Sequence, residues 1–262
     1  MGPDLDDTYT FTPAGNRLAL IETLQRGSTP PPPAVPNREY HYNQAGRLSE
    51  VLENGLLEAR YTYNAEGQRT RKVLFSGGTL PTGTTFYHYD LGGQLLAETR
   101  EDGTALREYL WQDDEPLAQI DTQSGFETLH TFHTDHLKTP RLATGPSGAI
   151  LWRWEGEAFG STAPELQSVT VNLRFPGQYF DAETGLHYNY LRHYDPAVGR
   201  YIQSDPIGLA GGINTYAYTY NNPTGYFDSN AGNPVAAAVR GGYLAGQALN
   251  AAINYTPVGQ QV

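Results

Sequence analysis

The chain has 262 residues, which suits one large domain or two small ones. Its 17 basic and 28 acidic residues give a formal net charge of −11, which argues against binding to nucleic acid or to an anionic membrane surface. The absence of cysteine excludes disulfides, zinc–thiolate sites and iron–sulfur clusters, and no run of about 18 apolar residues could span a bilayer.

The composition favours β-structure. The chain contains 19 tyrosines and 29 glycines, and aromatic residues make up 12% of it. Flat rings pack well on the pleated surface of a strand, and glycine permits the tight turns between strands. We therefore predict an all-β fold.

The first elements along the chain form a repeat. Two aromatic residues separated by one position are followed by a short turn segment, a glycine and an apolar strand, and this pattern starts at residues 9, 40, 61 and 87. Starts that lie roughly 20–30 residues apart are typical of solenoid and shell architectures.

One unit illustrates the physics. Tyr61 and Tyr63 share one face because side chains alternate along a strand. The segment Asn64–Gly67 predicts a turn in which glycine supplies a positive φ, and the chain returns through Val73 as the second strand of a hairpin. A single hairpin cannot bury its tyrosine face, so neighbouring units are expected to stack.

The segment 28–36 is rich in proline and separates the first two repeats. Proline favours the polyproline II conformation and cannot donate a hydrogen bond to a ladder. We interpret this segment as a stiff loop; a recognition peptide is the alternative.

The repeat segments resemble the YD repeats of Rhs proteins, and residues 128–232 resemble the core region that follows such repeats. The resemblance rests on several stretches, namely residues 133–142, 152–154, 159–160, 174–178, 183–196, 199–209 and 214–228. It implies a curved antiparallel hairpin-repeat sheet that forms part of a β-shell, or cocoon, around a polymorphic toxin, with a C-terminal core that plugs the shell.

Three regions are predicted on this basis. Residues 1–127 would form the YD-repeat sheet, and residues 128–232 the core and plug. Residues 233–262 are dominated by small residues and would form a short terminal helix that starts near Pro234, at the beginning of the variable C-terminal region. We expect this helix to thread the plug; a piece of membrane-active toxin is the alternative.

The resemblance also implies a self-cleaving aspartic protease. The first motif is intact as Asp205-Pro206-Ile-Gly208, and the second aligns at Asp228. Such chemistry needs one ionised carboxyl to activate water and one protonated carboxyl to donate a proton. Pro206 and Gly208 would hold the turn that presents Asp205, and Arg200 could orient or balance the pair.

The second motif departs from the family pattern. Where the family has Asp-Pro-x-Gly-Leu and is cut after leucine, this chain reads Asp228-Ser-Asn-Ala-Gly232. By position the scissile bond is Gly232–Asn233. Two aspartates that only cap turns are the alternative interpretation.

Three histidines, His130, His133 and His136, could suggest a metal site. On a strand, however, His133 points away from the other two, and those two lie about 20 Å apart. We therefore expect packing rather than metal binding, and we expect no cofactor.

The predicted function is a shell and plug fragment that sequesters and releases a C-terminal effector. The resemblance suggests interbacterial competition through a contractile, type VI secretion apparatus, or delivery by an insecticidal toxin complex. Its partners would be its own effector, further repeats on another chain, a secretion spike, an immunity protein or a chaperone. Because the N-terminus lacks a signal peptide, we expect a bacterial cytoplasmic location before export.

Two other classes of function stay open. A non-catalytic surface module could bind carbohydrate or another cell through a tyrosine-rich face, and an intracellular metalloenzyme would require metal at the histidines.

Overall fold

The computed structural model of the chain describes residues 5–24, 37–76, 78, 80–232 and 235–236. An open antiparallel sheet of 14 strands, in which each strand pairs with the next along the chain, forms the largest part. The strands are β1 Leu5–Phe11, β2 Arg17–Leu24, β3 Arg38–Tyr42, β4 Leu48–Glu53, β5 Leu56–Tyr63, β6 Arg69–Leu74, β7 Gly83–Tyr89, β8 Leu95–Thr99, β9 Ala105–Gln112, β10 Glu115–Gln123, β11 Phe126–Thr134, β12 Pro140–Thr144, β13 Ile150–Arg153 and β14 Leu166–Gln167.

Two smaller sheets follow. They comprise β15 Tyr179–Phe180, β16 His187–Asn189, β17 Arg192–Asp195 and β18 Arg200–Tyr201 in one sheet, and β19 Tyr226–Phe227 and β20 Val235–Ala236 in the other. Two 3₁₀ turns, Gly208–Gly211 and Thr219–Asn221, complete the described residues, which contain no α-helix. The predicted all-β class is confirmed.

The turn predicted at Asn64–Gly67 is present, and turns with the same backbone hydrogen bonds connect other strands of the sheet. The Gly67 N–H donates to the Asn64 carbonyl at 3.1 Å, the Asn64 N–H donates to the Gln68 carbonyl at 2.9 Å, and Gly67 has φ +87°. The Asn64 side chain also accepts a hydrogen bond from the Gln68 N–H at 2.8 Å. The same pair of backbone bonds closes turns that start at Thr12, Asn43, Asp90, Arg100, Asp135 and Gly145.

One face of the large sheet carries the aromatic side chains of the repeats. We call it the inner face and define it by the buried residues Tyr40, Tyr61, Tyr87, Tyr109, Phe132 and Trp152. Residues 168–232, which we call the plug segment, pack against it through aromatic contacts. The ring centroids of Tyr87 and Tyr179 lie 5.4 Å apart, and those of Tyr61 and His193 lie 5.9 Å apart.

Buried ion pairs fasten the plug segment to the sheet. Asp181 accepts hydrogen bonds from Arg69 at 2.5 Å and from Lys72 at 3.0 Å, and Lys72 also contacts Glu183 at 3.1 Å. The hydroxyl of Tyr61 donates to Glu183 at 2.8 Å. Although burial opposes ionisation of Asp181, the adjacent Arg69 and Lys72 lower its pKa to about 2.

Two features of the structure lie near the predicted region boundaries. The large sheet continues to Gln167, so residue 127 does not coincide with a break in it. Near the start of the predicted helical tail, Val235–Ala236 pair with Tyr226–Phe227 as a strand. Pro234, residues 237–262 and the proline-rich segment 28–36 lie outside the described residues. The described part of the chain has no helix long and apolar enough to cross a membrane.

Two buried histidines make stability depend on pH. Burial lowers the pKa of His193 to about 3 and that of His187 well below its usual value. Below about pH 6.5 these two histidines therefore bind more protons in the unfolded chain than in the folded one, and each removes about 1.4 kcal/mol of stability per pH unit. This loss grows as the pH falls from about 6.5 towards the folded-state pKa.

We expect His193→Asn to weaken this dependence. Between about pH 6.5 and 4, the free energy of unfolding of the variant should fall less steeply, by about 1.4 kcal/mol per pH unit, than that of the wild type. Urea unfolding at several pH values measures the two slopes. His88→Asn, at an exposed position, is the matched control and should keep the wild-type slope. Equal slopes for wild type and His193→Asn would contradict the prediction.

Candidate functional site

Asp205 lies in a tight turn just after β18. Its backbone N–H donates to the Thr215 carbonyl at 2.9 Å, and the Gly208 N–H donates to the Asp205 carbonyl at 2.9 Å. The carboxylate accepts a further bond from the Ile207 N–H at 2.9 Å. With Gly208 at φ +60°, the Asp-Pro-Ile-Gly segment is a turn that holds the carboxylate in place.

Asp228 follows β19 and is fully buried. One carboxyl oxygen accepts a hydrogen bond from the Tyr201 hydroxyl at 3.0 Å, and the other accepts one from the Gly232 N–H at 3.1 Å. The side chain of Asn189 donates to the Asp228 carbonyl at 2.7 Å. The turn therefore forms without proline, and Ala231 adopts φ +55° where the family pattern has glycine.

Arg192, from β17, joins the two aspartates. Its Nη2 lies 3.0 Å from Asp205 and 3.6 Å from Asp228. Its guanidinium stacks on the ring of Tyr201 at 3.7 Å from the centroid, and Nε donates to the Ala231 carbonyl at 2.8 Å. The plug segment thus brings Asp205 and Asp228 to one buried cation.

Arg192 is not among the residues that the sequence predicts for this site, whereas Arg200 is. Arg200 is exposed, and among the described residues it forms no ion pair with either aspartate. Strand alternation is the signal that could have found Arg192, because it shares a face of β17 with Tyr194, and Tyr194 packs in the aromatic core.

The two carboxyl groups differ in environment. Burial raises the pKa of Asp228, although Arg192, the Tyr201 hydroxyl and the Gly232 N–H act in the opposite direction. Asp205 borders an open cavity of about 210 Å³, which Arg192, Gly211 and other residues also line. A fully buried carboxyl group with a raised pKa therefore shares Arg192 with a second carboxyl group that borders the cavity. This is the asymmetry that general acid–base chemistry on a peptide requires.

The remaining predicted positions lie in different parts of the fold. Gly232 is buried at this site, and Asn233 lies outside the described residues. His130 contacts Asp121 at 3.3 Å on the inner face, whereas His133 is exposed and bonds to Thr144. Among the described residues, no group of three or more histidine, aspartate or glutamate side chains could hold a metal ion.

The comparisons with known proteins decide the family. The family model described as Teneurin YD-shell matches residues 23–226. The chain belongs to the Teneurin YD-shell family. The predicted resemblance to YD-repeat proteins is thereby confirmed.

Curated relatives of this YD-shell chain include toxins. It is 32% identical over 251 residues to double-stranded DNA deaminase toxin A of Burkholderia cenocepacia, with 85% of this chain and 17% of the relative covered. It is 33% identical over 217 residues to toxin protein Tse5 of Pseudomonas aeruginosa, with 71% of this chain and 16% of the relative covered. It is 30% identical over 216 residues to the probable deoxyribonuclease RhsB of Dickeya dadantii, with 71% and 15% covered. The YD-shell chain thus spans about a sixth of the length of each.

Among solved structures, the chain is similar to a TcdB2–TccC3–TEV crystal structure, with a TM-score of 0.44, 16% identity, and 87% of this chain and 17% of that chain covered. It is also similar to a structure of the Photorhabdus luminescens Tc holotoxin pore, with a TM-score of 0.43, 16% identity, and 88% and 17% covered.

Proposed function

We propose that this YD-shell chain closes a β-shell around a C-terminal effector and that Asp205 and Asp228 cut the chain near residue 232 to free that effector. The observation that carries the proposal is that both aspartates contact Arg192 in the segment that ends at Gly232. The same arginine binds the Ala231 carbonyl, so the site and its candidate substrate are parts of one chain.

Coverage of the inner face supports enclosure. The repeat tyrosines Tyr40, Tyr61, Tyr87 and Tyr109 are at most 4% exposed. A carbohydrate-binding surface needs aromatic rings that a sugar can reach, so this burial opposes the surface-module alternative. A plug held by buried ion pairs is suited to keeping a shell shut.

The proposed setting is toxin delivery. Relatives named as toxins support an effector as the partner. Further YD repeats, a secretion spike, an immunity protein or a chaperone are the other partners that we propose. The chain would be made in the bacterial cytoplasm and then exported, in interbacterial competition or with an insecticidal toxin complex.

The chemistry would be a single turnover of peptide hydrolysis. One carboxylate activates water, the protonated carboxyl group supplies a proton to the leaving nitrogen, and a cation beside the carbonyl stabilises the developing oxyanion. Asp205, Asp228 and Arg192 would take these three roles. Arg192 contacts both aspartates, so it is the cation placed for this role.

Intact-mass spectrometry of the purified full-length chain tests the proposal. We expect the wild type to be cut near residue 232 and the variants Asp205→Asn and Asp228→Asn to stay whole at 28.8 kDa, because each removes one member of the acid–base pair. Asp102→Asn changes an exposed turn aspartate and should be cut like the wild type. A wild type that stays whole, or variants that are cut as fast, would contradict self-cleavage and leave enclosure alone.

A further inference from the structure

Four large apolar side chains lie exposed around the cavity beside Asp205. Leu209 and Ile213 are 76% and 97% exposed, and Ile207 and Tyr220 are exposed as well. Two of the four, Ile213 and Tyr220, line the cavity itself. Single exposed apolar residues are common on protein surfaces, whereas a cluster of them is typical of a surface that binds a partner. We call Ile207, Leu209, Ile213 and Tyr220 the loop patch.

The members of the loop patch lie close together. A Cβ atom added at Gly211 would lie 3.3 Å from Ile207 Cδ1, and one added at the next residue, Gly212, would lie 3.9 Å from Tyr220 Cε1. Leu209 belongs to the 3₁₀ turn that ends at Gly211. The four side chains therefore surround one short stretch of backbone and form a single surface.

The described part of the chain ends beside this surface. Ala236 pairs with Tyr226 in the small sheet of β19 and β20. The ring of Tyr226 packs edge-on against the ring of Tyr220, and their centroids lie 6.0 Å apart. Residues 237–262, which we call the C-terminal segment, follow Ala236 directly, so this segment starts close to the loop patch.

The sequence of the C-terminal segment suits an apolar surface. Arg240 is its one charged side chain, and its first large apolar side chains are Val239, Tyr243 and Leu244. An extended chain advances by about 3.3 Å per residue, so the eight residues from 237 to 244 can reach as far as about 26 Å. That length is sufficient to bring these apolar side chains to the loop patch.

We propose that the C-terminal segment binds to the loop patch and covers the side chains of Leu209, Ile213 and Tyr220. The driving force is the removal of apolar surface from water on both sides of the contact. Binding does not depend on the proposed self-cleavage, because the segment and the patch can meet in a whole or a cut chain. Within the proposed shell, this contact would hold the first residues of the effector on the plug segment.

Cross-linking between two introduced cysteines tests the inference, because the chain has no cysteine of its own. In the full-length chain, Ala210→Cys places a thiol in the exposed turn of the loop patch, and Ala245→Cys places one in the C-terminal segment. A short bismaleimide joins thiols that lie close together. Mass spectrometry of tryptic peptides measures the rate, because the two cysteines lie in different peptides, separated by the cleavage site at Arg240.

The control pair combines Ala245→Cys with Gln123→Cys. Gln123 is exposed and pairs with Phe126 at the start of β11. The plug segment contacts the turn beyond the other end of β11, where Thr224 bonds to His136. We expect cross-linking to Ala210→Cys to be about tenfold faster than cross-linking to Gln123→Cys, because binding raises the effective concentration of the thiol in the segment.

A substitution in the patch tests the apolar contact. Leu209→Ser, added to the Ala210→Cys pair, should lower the cross-linking rate towards that of the control pair. Leu56→Ser is the matched variant, because Leu56 is 61% exposed and lies in β5, outside the loop patch. It should leave the rate unchanged. Both leucines are exposed, so both variants should keep the fold, and thermal unfolding checks this.

The outcomes distinguish this inference from its alternatives. A faster rate at Ala210→Cys that falls in Leu209→Ser and persists in Leu56→Ser would establish it. Equal rates for the two cysteine pairs, or a rate that Leu209→Ser does not change, would overturn it. Cross-links that join two chains and increase with protein concentration would overturn it in favour of a second copy on the patch. A chain that stays whole would contradict only the proposed self-cleavage.

Discussion

Arg69→Met is expected to lower the free energy of unfolding by about 3–5 kcal/mol, because it leaves a buried carboxylate without its main partner. Arg69 and Asp181 are both fully buried and lie 2.5 Å apart. With Lys72 and Glu183 they form a cluster of two positive and two negative charges. Removal of the arginine leaves a net negative charge inside the protein, where no water can solvate it.

The surroundings of Arg69 leave the variant few ways to compensate. Its guanidinium lies over the rings of Tyr188 and Tyr87, at 4.3 and 4.8 Å from their centroids. Methionine fills part of this volume and makes no cation–π contact. Lys72 already contacts both Asp181 and Glu183, so it cannot neutralise the two carboxylates.

Urea unfolding monitored by tyrosine and tryptophan fluorescence measures the loss. Arg60→Met is the matched control, because Arg60 forms an exposed ion pair with Glu50 at 2.8 Å. Exposed pairs of this kind contribute about 0–1 kcal/mol. Similar losses in the two variants would mean that the buried cluster does not hold the plug to the sheet.

The hairpin around Gly67 was predictable from sequence, whereas the ion pair between Arg69 and Asp181 was not. Alternation along a strand and turn residues are local signals, and they were sufficient for the hairpin around Gly67 and its positive φ. The bond between Arg69 and Asp181 joins residues 112 positions apart. It depends on how the plug segment docks on the inner face, and no local pattern encodes that docking.

One turn that the repeat pattern does not predict has a physical explanation. The turn that starts at Asp135 has the same two backbone bonds as the others, but Lys138 occupies the glycine position at φ +67°. The Asp135 carboxylate accepts bonds from the Leu137 and Thr139 N–H groups, which stabilises the turn without glycine. A sequence pattern that requires glycine therefore does not detect this turn.

The two aspartates of the candidate site were predictable from sequence, but Arg192 was not. The resemblance to the family predicted Asp205 through the intact Asp-Pro-x-Gly motif and Asp228 through alignment of the second motif. Arg192 lies on another strand, and its proximity to both aspartates arises only when β17, β18 and β19 are assembled. Arg200, chosen because it is close in sequence, is exposed instead.

Gly177→Ala is expected to destabilise the plug and also displace Asp228. Gly177 adopts φ +82°, and a Cβ atom there would overlap the carbonyl oxygen of Ser229 and lie 2.6 Å from its Cα atom. These are backbone atoms that no side-chain rotation can move, so the segment after Asp228 must shift. We expect a loss of about 2–4 kcal/mol, from the left-handed backbone together with overpacking.

Gly185→Ala separates the two contributions. Gly185 also lies in the plug segment and has φ +73°, yet a Cβ atom added there would meet nothing within 4 Å. This control should lose only the roughly 1–2 kcal/mol of a left-handed backbone and should keep any self-cleavage. In Gly177→Ala the shift of Ser229 would displace the adjacent Asp228, so any self-cleavage should be lost even under conditions in which the variant is folded. Equal losses of stability and equal cleavage in the two variants would show that the contact between Gly177 and Ser229 does not position the Asp228 carboxyl group.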